Sequence, residues 1–265
     1  MSRAPALLVL TALCYAQDQK PRWQPAWPCT GKEPSFDPVY ARIAEASGGQ
    51  VFLLDRSEAG RSMTIDKYDS NHRATIARAA GKLESPYEDF RVPVDSTIDS
   101  LLVSVTLQCM QAITIYDPHS APVKPAEDNL FRAGRIAMIP KPEPGVWTIR
   151  LQGAGPYFLS VQARTAFALH STDFAQFPPK FGADQTLTVT VNAPTRDVRF
   201  RLVGPAGEPL QTLVLSASED RPDHFSGTFI PGFKQFRVLA EGADERGFPF
   251  QRIDPHLFEA KSTVP

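Results

Sequence analysis

The sequence predicts a mainly β protein: two tandem antiparallel β-sandwich domains, the second immunoglobulin-like or fibronectin-like, with a small α/β segment at the N-terminus. Short runs in which apolar and polar residues alternate recur from residue 93 onward, as in strands with one buried and one solvated face. Clusters of Pro, Gly, Asp and Asn separate these runs and mark turns. The 265-residue chain contains 25 prolines, nearly twice the usual share of about 5%. This composition favours strands and turns over long helices.

The first sandwich is predicted over residues 87–170. Its clearest strand alternates between a buried face with Leu101, Val103, Val105 and Leu107 and a solvated face with Leu102, Ser104, Thr106 and Gln108. Turns are expected at residues 117–120 and 141–145. Trp147 lies in a later alternating strand, so we interpret it as a core anchor; the alternative is a platform on which a ligand stacks.

The second sandwich is predicted over residues 183–253, because about six short alternating runs fall within this length, as in immunoglobulin-like folds. The preceding residues 171–182 contain Pro178 and Pro179 and are predicted to form a stiff linker. The polar tail, residues 254–265, is expected to fray.

Residues 1–16 have the pattern of a signal peptide. Arg3 supplies a positive start, residues 6–13 are apolar, and Ala16 offers a small residue for cleavage. The alternative is that these residues form a buried strand. The apolar run is shorter than the roughly 20 residues that cross a bilayer, and no later run approaches that length. We therefore expect a secreted protein, extracellular or periplasmic, without a transmembrane segment.

Residues 17–86 are predicted to form an N-terminal extended and α/β segment. A helix is expected after Asp37, which can cap it, with Pro38 in the first turn. Its buried face is expected to comprise Val39, Ile43 and Ala46. A strand is then expected over residues 50–54 and a second helix over residues 66–81.

The cysteines suggest one disulfide bond. Cleavage after Ala16 leaves Cys29 and Cys109, an even number, as is common in exported proteins. A bond between them would tie the N-terminal segment to the first sandwich. The alternative is two separate buried thiols, since a free cysteine packs like a small apolar residue. The sequence has no Cys-x-x-Cys motif, which argues against a zinc ribbon or a redox pair.

The charge pattern and the motifs exclude several classes of function. The formal net charge is −1 and charges of both signs are interspersed, which argues against a nucleic acid or an anionic membrane as partner. No nucleophile elbow, phosphate loop, dinucleotide fingerprint or His-Glu-x-x-His motif occurs. The histidines are spread along the chain and are interpreted as surface residues: His72, His119, His170, His224 and His256. No catalytic residue, cofactor or metal ligand is therefore predicted.

Two oxygen-rich segments are the best candidates for a cation site. Residues 95–100 read Asp-Ser-Thr-Ile-Asp-Ser, and we interpret them as a turn whose side chains satisfy local backbone donors. The alternative is a weak calcium site near Asp95. Residues 218–223 present the same choice, with a solvated loop tip as the favoured interpretation.

Three passages resemble parts of hemicentin-like proteins. Residues 37–52, with Asp-Pro-x-Tyr and then Ile-Ala-Glu-Ala-Ser-Gly-Gly-Gln-Val-Phe, are similar to the closing helix and strand of a von Willebrand factor A domain. Residues 94–104 and 142–147 are similar to the β-rich segment that follows that domain, and residues 237–252 resemble the close of the next sandwich.

The resemblance implies an adhesion-type scaffold without its metal site. A von Willebrand factor A domain binds a divalent cation through an Asp-x-Ser-x-Ser loop near its start. No such motif appears here, and the segment before Thr30 is too short to carry that half of the fold. The resemblance therefore supplies no functional residue.

The predicted function is that of an exported, non-catalytic binding or structural module, adhesion-like, which contacts a protein or glycan through sandwich loops. The alternative is a carbohydrate-active enzyme or its accessory module, with a cleft between the domains. Exposed aromatic residues beside carboxylates would favour it, and the candidates are Tyr116, Tyr157 and Phe158. Trp23, Trp27 and Tyr157 on one solvent-facing surface would also indicate sugar binding.

Overall fold

A computed structural model describes residues 37–62, 73–192 and 197–262. These residues form a mainly β structure of antiparallel sheets, so the predicted β-sandwich fold class is confirmed. The helices are α1 (Pro38–Ala46) and α2 (Ala59–Ser62). The strands are β1 (Arg73–Leu83), β2 (Tyr87–Val94), β3 (Ser100–Tyr116), β4 (Glu127–Phe131), β5 (Gly134–Pro140), β6 (Gly145–Arg164), β7 (Leu169–Phe174), β8 (Lys180–Phe181), β9 (Gln185–Val191), β10 (Arg199–Val203), β11 (Pro209–Leu213), β12 (Ser216–Ala217), β13 (His224–Phe229), β14 (Gln235–Ala243), β15 (Pro249–Ile253), β16 (Phe258–Glu259) and β17 (Lys261–Ser262).

The first sandwich is one sheet folded onto itself. Its strand order is β1-β6-β3-β5-β4, and β2 pairs with the first part of β6 while β1 pairs with the last part. Strands β3 and β6 contain 17 and 20 residues and pair antiparallel over most of that length. The register shifts near Cys109, where β-bulges bend the pair. Side chains from both parts then meet in one buried core.

The bend depends on Gly153. Its φ is 146°, a conformation that L side chains rarely adopt, and a Cβ added there would lie 2.1 Å from the carbonyl oxygen of Cys109. Only glycine lets the two bent strands approach this closely.

A third layer covers the outer face of this sheet. The predicted inner face of β3 is buried, but the predicted solvated face is buried too at Leu102, Ser104 and Thr106. Leu102 packs against Phe52, and the Thr106 hydroxyl donates to the carbonyl oxygen of Val51 at 2.8 Å. The prediction of a wet outer face was wrong for these positions because the N-terminal segment folds back over the sheet.

Helix α1 begins where predicted but buries a different face. Asp37 caps it by accepting a hydrogen bond from the amide of Val39 at 2.9 Å, with Pro38 in the first turn. The buried residues are Ala41, Ala44 and Glu45. Val39 and Ile43, predicted to be buried, are 41% and 43% exposed. Small residues face the sheet because the helix packs close against it.

Two other predictions in the N-terminal segment were wrong. Residues 50–54 form no strand, although Val51, Phe52 and Leu53 are buried under the helix layer. Residues 73–81, predicted to be helical, belong to β1 and pair antiparallel with β6. The alanines there favour a helix in isolation, but strand pairing overrides such weak local preference. Residues 63–72 lie outside the described ranges.

The second sandwich has two facing sheets. One has the order β11-β10-β14-β15, with β16 also on β14, and the other has the order β12-β13-β9-β7. Their inner faces enclose a core rich in phenylalanine, including Phe200, Phe225, Phe236 and Phe250.

The predicted linker and tail contribute to this second sandwich. Within the linker region, β7 pairs with β9 and β8 pairs with β17. The prediction of a fraying tail was wrong for the described part, because Phe258 and Ala260 are buried in the second core. The limits at which each sandwich would fold independently remain a prediction.

Candidate binding cleft between the sandwiches

Strand β1 of the first sandwich packs beside β15 and the β10–β11 turn of the second. The Gln251 side-chain amide donates to the carbonyl oxygen of Ile76 at 2.6 Å. The amide of Ala80 donates to the carbonyl oxygen of Pro205 at 2.8 Å. These bonds to backbone atoms fix the relative position of the two sandwiches.

Glu45 joins all three layers. One carboxylate oxygen accepts from Arg78 of β1 at 2.8 Å, and the other accepts from Arg237 of β14. Arg78 also donates to the carbonyl oxygens of Gly48 and Gly49, which holds the end of α1. Burial lowers the pKa of Arg237 to about 10, although the negative charge of Glu45 opposes this effect. A single buried carboxylate thus connects α1 to both sandwiches.

A second buried ion pair lies at residues 95–100, the segment interpreted as a turn with a weak calcium site as the alternative. The carboxylate of Asp95 lies 2.8 Å from Nη1 of Arg252, and neither side chain is exposed. The other oxygen of Asp95 accepts from the amide of Thr97 at 3.1 Å. Arg252 also stacks on Phe167, 4.3 Å from the ring centroid, and donates to its carbonyl oxygen. This geometry supports the turn interpretation, since Arg252 takes the place that a cation would occupy.

The adjacent Ser96 forms a third link. Its amide and hydroxyl both donate to one carboxylate oxygen of Asp244, at 2.8 and 2.6 Å. In residues 37–62, 73–192 and 197–262 no three His, Cys, Asp or Glu side chains converge as a metal site would need.

Between these links a cleft of about 370 Å³ remains open. Its floor is apolar and comprises Ala77, Ala79, Leu159, Val203, Leu239 and Ile253. Residues 88–91 of β2, Arg78 of β1 and Glu208 of the β10–β11 turn also line it. Clefts of this size at domain interfaces, apolar with a few polar groups, commonly bind ligands.

Charged groups of both signs line the cleft: the carboxylates of Glu88 and Glu208, and the guanidinium groups of Arg78 and Arg91. Burial raises the pKa of Glu88, which is half-buried beside Phe90. Burial also raises the pKa of Tyr157, and the charges of Glu88 and Glu208 add to this increase. The amide of Ala206 donates to the Glu208 carboxylate at 2.9 Å and orients it. Within the described ranges neither glutamate lies within 4.0 Å of a basic group, so both can receive a donor from a ligand.

The aromatic candidates from the sequence do not form one exposed surface. Tyr157 is buried against Phe90, Phe158 packs under α1, and Tyr116 lies beside the guanidinium of Arg150. Trp23 and Trp27 lie outside the described residues. Trp147 is buried and its ring N–H donates to the carbonyl oxygen of Glu143 at 2.8 Å, so the core-anchor interpretation is confirmed.

The other sequence candidates lie elsewhere. Residues 218–222 are exposed, as a solvated loop tip requires. Cys109 is buried in β3 and is disulfide-bonded, so the alternative of a free thiol there was wrong. Cys29 lies outside the described residues, so its assignment as the partner of Cys109 remains a prediction.

Sequence reasoning missed Glu45, Glu88 and Glu208, because they are far apart in the chain and only the packing of three layers brings their elements together. One signal was available. Arg78 is a charged residue within an alanine-rich run, and such a residue becomes buried only with a partner.

Comparison with known proteins points to one group. Residues 73–166, which span β1 to the end of β6, match the family model described as hemicentin galactose-binding domain-like. The chain is 23% identical to mouse (Mus musculus) hemicentin-1 over 242 residues and 22% identical to human (Homo sapiens) hemicentin-1 over 247 residues. The chain is distantly related to hemicentin-1. The alignments cover 84% of this chain but only 4% of each hemicentin. The family match begins at residue 73, after α1, so the resemblance of residues 37–52 to a von Willebrand factor A domain stays a prediction.

Solved structures align more loosely. A Bacillus licheniformis lipase, BlEst2, in its propeptide form, aligns with a TM-score of 0.37 and 12% identity, over 71% of this chain and 43% of that chain. A DUF4785 family protein from Legionella pneumophila aligns with a TM-score of 0.39 and 15% identity, over 72% and 66% respectively.

Neither helix in the described parts of the chain combines the length and apolar character that crossing a membrane requires.

Proposed function

We propose that this chain is an exported, non-catalytic binding module of the adhesion type, which contacts a protein or glycan through its sandwich loops. The observation that carries the proposal is the cleft between the sandwiches. The buried links at Glu45 and Arg252 hold the two sandwiches together, while the cleft beside them stays open with the carboxylates of Glu88 and Glu208 in its lining. A rigid site of this kind binds without first having to be ordered.

The chemistry of the rim suits a glycan or a basic protein side chain. Carboxylates accept hydrogen bonds from sugar hydroxyls or from Lys and Arg, and such charge-assisted bonds are among the stronger ones. Phe90 adds an aromatic surface beside Glu88. The hemicentin-related match, in a family described as galactose-binding domain-like, includes both residues.

The proposed location is outside the cell or in the periplasm, after cleavage of residues 1–16. In that compartment Cys29 and Cys109 would form their disulfide bond. Both points rest on the sequence, and the relation to hemicentin-1 agrees with them.

The test is direct binding of the chain from residue 17 onward. We would screen immobilised glycans and cell-surface protein fractions and then measure affinity for each hit with Glu88→Gln and Glu208→Gln. Loss of one charged hydrogen bond should weaken binding at least about tenfold. Glu219→Gln, in the exposed loop at residues 218–222, is the matched control and should bind as the unmodified chain does. Equal affinity of all the variants would refute the cleft as the site.

One observation favours a second candidate, a carbohydrate-active enzyme or its accessory module. Glu88 has a raised pKa and shares the cleft with Glu208, and such a carboxylic acid can act as a proton donor in glycoside hydrolysis. Incubation of each glycan hit with the chain, followed by product analysis, separates the two functions. Hydrolysis that Glu88→Gln abolishes would establish the enzyme, whereas binding without product would establish the module.

A further inference from the structure

Three apolar side chains project from one end of the second sandwich. Phe177 is 72% exposed, Ile230 is 51% exposed and Phe233 is 39% exposed. We call these three residues the apolar tip. Large apolar side chains grouped at the surface mark sites that contact another protein or a membrane.

Backbone hydrogen bonds bring the segments of the tip together. The amide of Gly182 donates to the carbonyl oxygen of Pro231 at 2.9 Å, which joins the loop after Phe177 to the loop that carries Ile230 and Phe233. The amide of Lys261 donates to the carbonyl oxygen of Pro179 at 2.9 Å and adds the chain end to the same group.

A packed aromatic base supports the tip. Phe174 contacts Phe258 with ring centroids 4.9 Å apart, and Phe229 contacts Phe236 edge-on at 6.2 Å. Phe174 precedes the first tip loop and Phe229 immediately precedes Ile230. The tip loops therefore start from a rigid core, which lowers the entropic cost of holding the tip exposed for a partner.

Lysines surround the tip although they are distant in sequence. Lys180 and Lys261 are register partners in the β8–β17 pair, and the amide of Ala260 donates to the carbonyl oxygen of Lys234 at 2.8 Å. In the described ranges none of the three lysines lies within 4.0 Å of a carboxylate. Two exposed acidic residues, Asp184 and Glu259, lie on the same segments, so the end carries a net positive charge.

The charge of the whole chain argues against an anionic membrane, but this local group of lysines departs from the interspersed pattern. We propose that the apolar tip docks on a lipid bilayer that contains anionic lipid. Phe177, Ile230 and Phe233 enter the interfacial region, and Lys180, Lys234 and Lys261 contact the lipid phosphates. A bilayer suits this surface better than a protein does, because separate projecting loops can all enter a fluid interface without a matching pocket. Aromatic residues and flanking lysines are the side chains that prefer that interface.

The test is cosedimentation of the chain from residue 17 onward with phosphatidylcholine vesicles, with and without phosphatidylserine. We expect binding to the vesicles that contain phosphatidylserine and weaker binding as salt rises. Phe177→Ser should weaken binding about tenfold, since an inserted phenylalanine contributes most of its burial energy there. Lys234→Gln should weaken it about fivefold.

Matched controls lie outside the three residues of the apolar tip. Val214→Ser replaces an apolar residue that is 83% exposed, and Lys124→Gln replaces an exposed lysine of the first sandwich. Both should bind vesicles as the unmodified chain does. Absence of vesicle binding, binding that does not depend on phosphatidylserine, or tip variants that bind as well as the controls would each overturn the proposal. Self-association in lipid-free solution that Phe177→Ser abolishes would also overturn it and assign the tip to a second copy of the chain.

A different observation concerns the polar row beneath α1. Arg78, Ser160 and Ser104 are neighbours across β1, β6 and β3, and Gln50 covers them from the N-terminal segment. Together they line a small space of about 10 Å³. Arg78 Nε, Gln50 Oε1 and the two serine hydroxyls are buried there and make no hydrogen bond to a described residue.

We infer that this space binds one structural water molecule. Arg78 Nε can only donate, Gln50 Oε1 can only accept, and each serine hydroxyl can do either, which matches the two donors and two acceptors of water. A space of about 10–15 Å³ accommodates one molecule. The water would add a second connection beside the Glu45–Arg78 ion pair, because it would join Gln50 of the N-terminal segment to the serines of β3 and β6.

A crystal structure of the full chain at a resolution that shows ordered water tests this inference. We expect one water bonded to at least three of the four atoms, and its loss in Ser160→Val, whose methyl groups fill the space. Direct hydrogen bonds among the four side chains, with no water between them, would overturn it.

Discussion

Arg252 and Asp95 form an ion pair in which Nη1 lies 2.8 Å from Oδ2 and both side chains are fully buried. The pair joins the turn after β2 in the first sandwich to β15 in the second. Burial lowers the pKa of Arg252, and the charge of Asp95 opposes this effect. Since removing two charges from water is costly, the pair contributes more to a unique orientation of the sandwiches than to net stability.

Removing one partner should therefore be far more damaging than removing both. Asp95→Ala leaves a buried, uncompensated guanidinium and should lower the free energy of unfolding by about 3–5 kcal/mol. The double variant Asp95→Leu with Arg252→Met should recover much of that loss. Urea unfolding of the three proteins measures the difference.

An exposed pair provides the control. Asp89 and Arg150 form a similar contact at 2.7 Å, but each side chain is about one-third exposed. Asp89→Ala should cause a much smaller loss, because water and salt screen an exposed pair. Equal losses for Asp95→Ala and Asp89→Ala would contradict the role assigned to burial.

The link between Ser96 and Asp244 should make stability depend on acid pH. Burial of Asp244 opposes its ionisation, but hydrogen bonds from Ser96 and from the amides of Phe248 and Arg246 prevail, so its pKa is lowered. A lowered folded-state pKa means that the ionised carboxylate stabilises the fold. That contribution is complete above the unfolded pKa of about 3.9 and is lost as pH falls through the lower folded value.

Asp244→Asn should reduce this dependence. The measurement is thermal unfolding of the unmodified chain and of Asp244→Asn from neutral pH down to below about 4, where carboxylates become protonated. The difference between the two melting temperatures should shrink as the solution becomes more acidic. Parallel curves would show that Asp244 adds nothing to the pH dependence.

Local pattern was enough to predict many of the strands but not the links between layers. Alternation placed Leu101 and Val103 in the core, and Trp147 followed from the same argument. Residues 73–81 were predicted to be helical because alanine favours a helix in isolation. They form β1 because they pair with β6, which is distant in sequence. The cleft could not be predicted for the same reason. Glu88 and Glu208 are far apart in the sequence, and only the packing of the two sandwiches brings both into the lining of one cleft.

The bend of the first sandwich should fail without glycine. Gly153→Ala introduces a methyl group 2.1 Å from the carbonyl oxygen of Cys109 at a φ of 146°, so β3 and β6 would have to separate. We expect a loss of several kcal/mol, or no folded protein, because strain and broken strand pairing add up. Gly60→Ala, where nothing lies within 4 Å of the new methyl group, should unfold at nearly the unmodified temperature. A stable Gly153→Ala protein would rule out the close approach of the two strands.

The predicted bond between Cys29 and Cys109 can be tested by thiol labelling under denaturing conditions. Denaturant is needed because Cys109 is buried and would resist labelling even as a free thiol. The chain from residue 17 onward, produced in an oxidising compartment, should gain no label without reductant and two labels after reduction. The bond should stabilise the fold by about 4 kcal/mol on the chain-entropy estimate. Labelling of both cysteines without reductant would contradict the bond.

Glu45 should control whether α1 remains attached to the sandwiches. Glu45→Ala leaves Arg78 and Arg237 buried without their shared carboxylate, and we expect the free energy for local opening of α1 to fall by about 3–5 kcal/mol. Arg78 would still bond the carbonyl oxygens of Gly48 and Gly49, so the helix should loosen rather than disappear. Hydrogen exchange measures this directly: the amides of residues 41–46 should exchange faster, while those of β9 in the second core should change little. Arg42→Ala, on the exposed side of the same helix, is the control and should preserve slow exchange. If Glu45→Ala and Arg42→Ala exchange alike, α1 is held by its alanine contacts alone, and the carboxylate is not what joins the three layers.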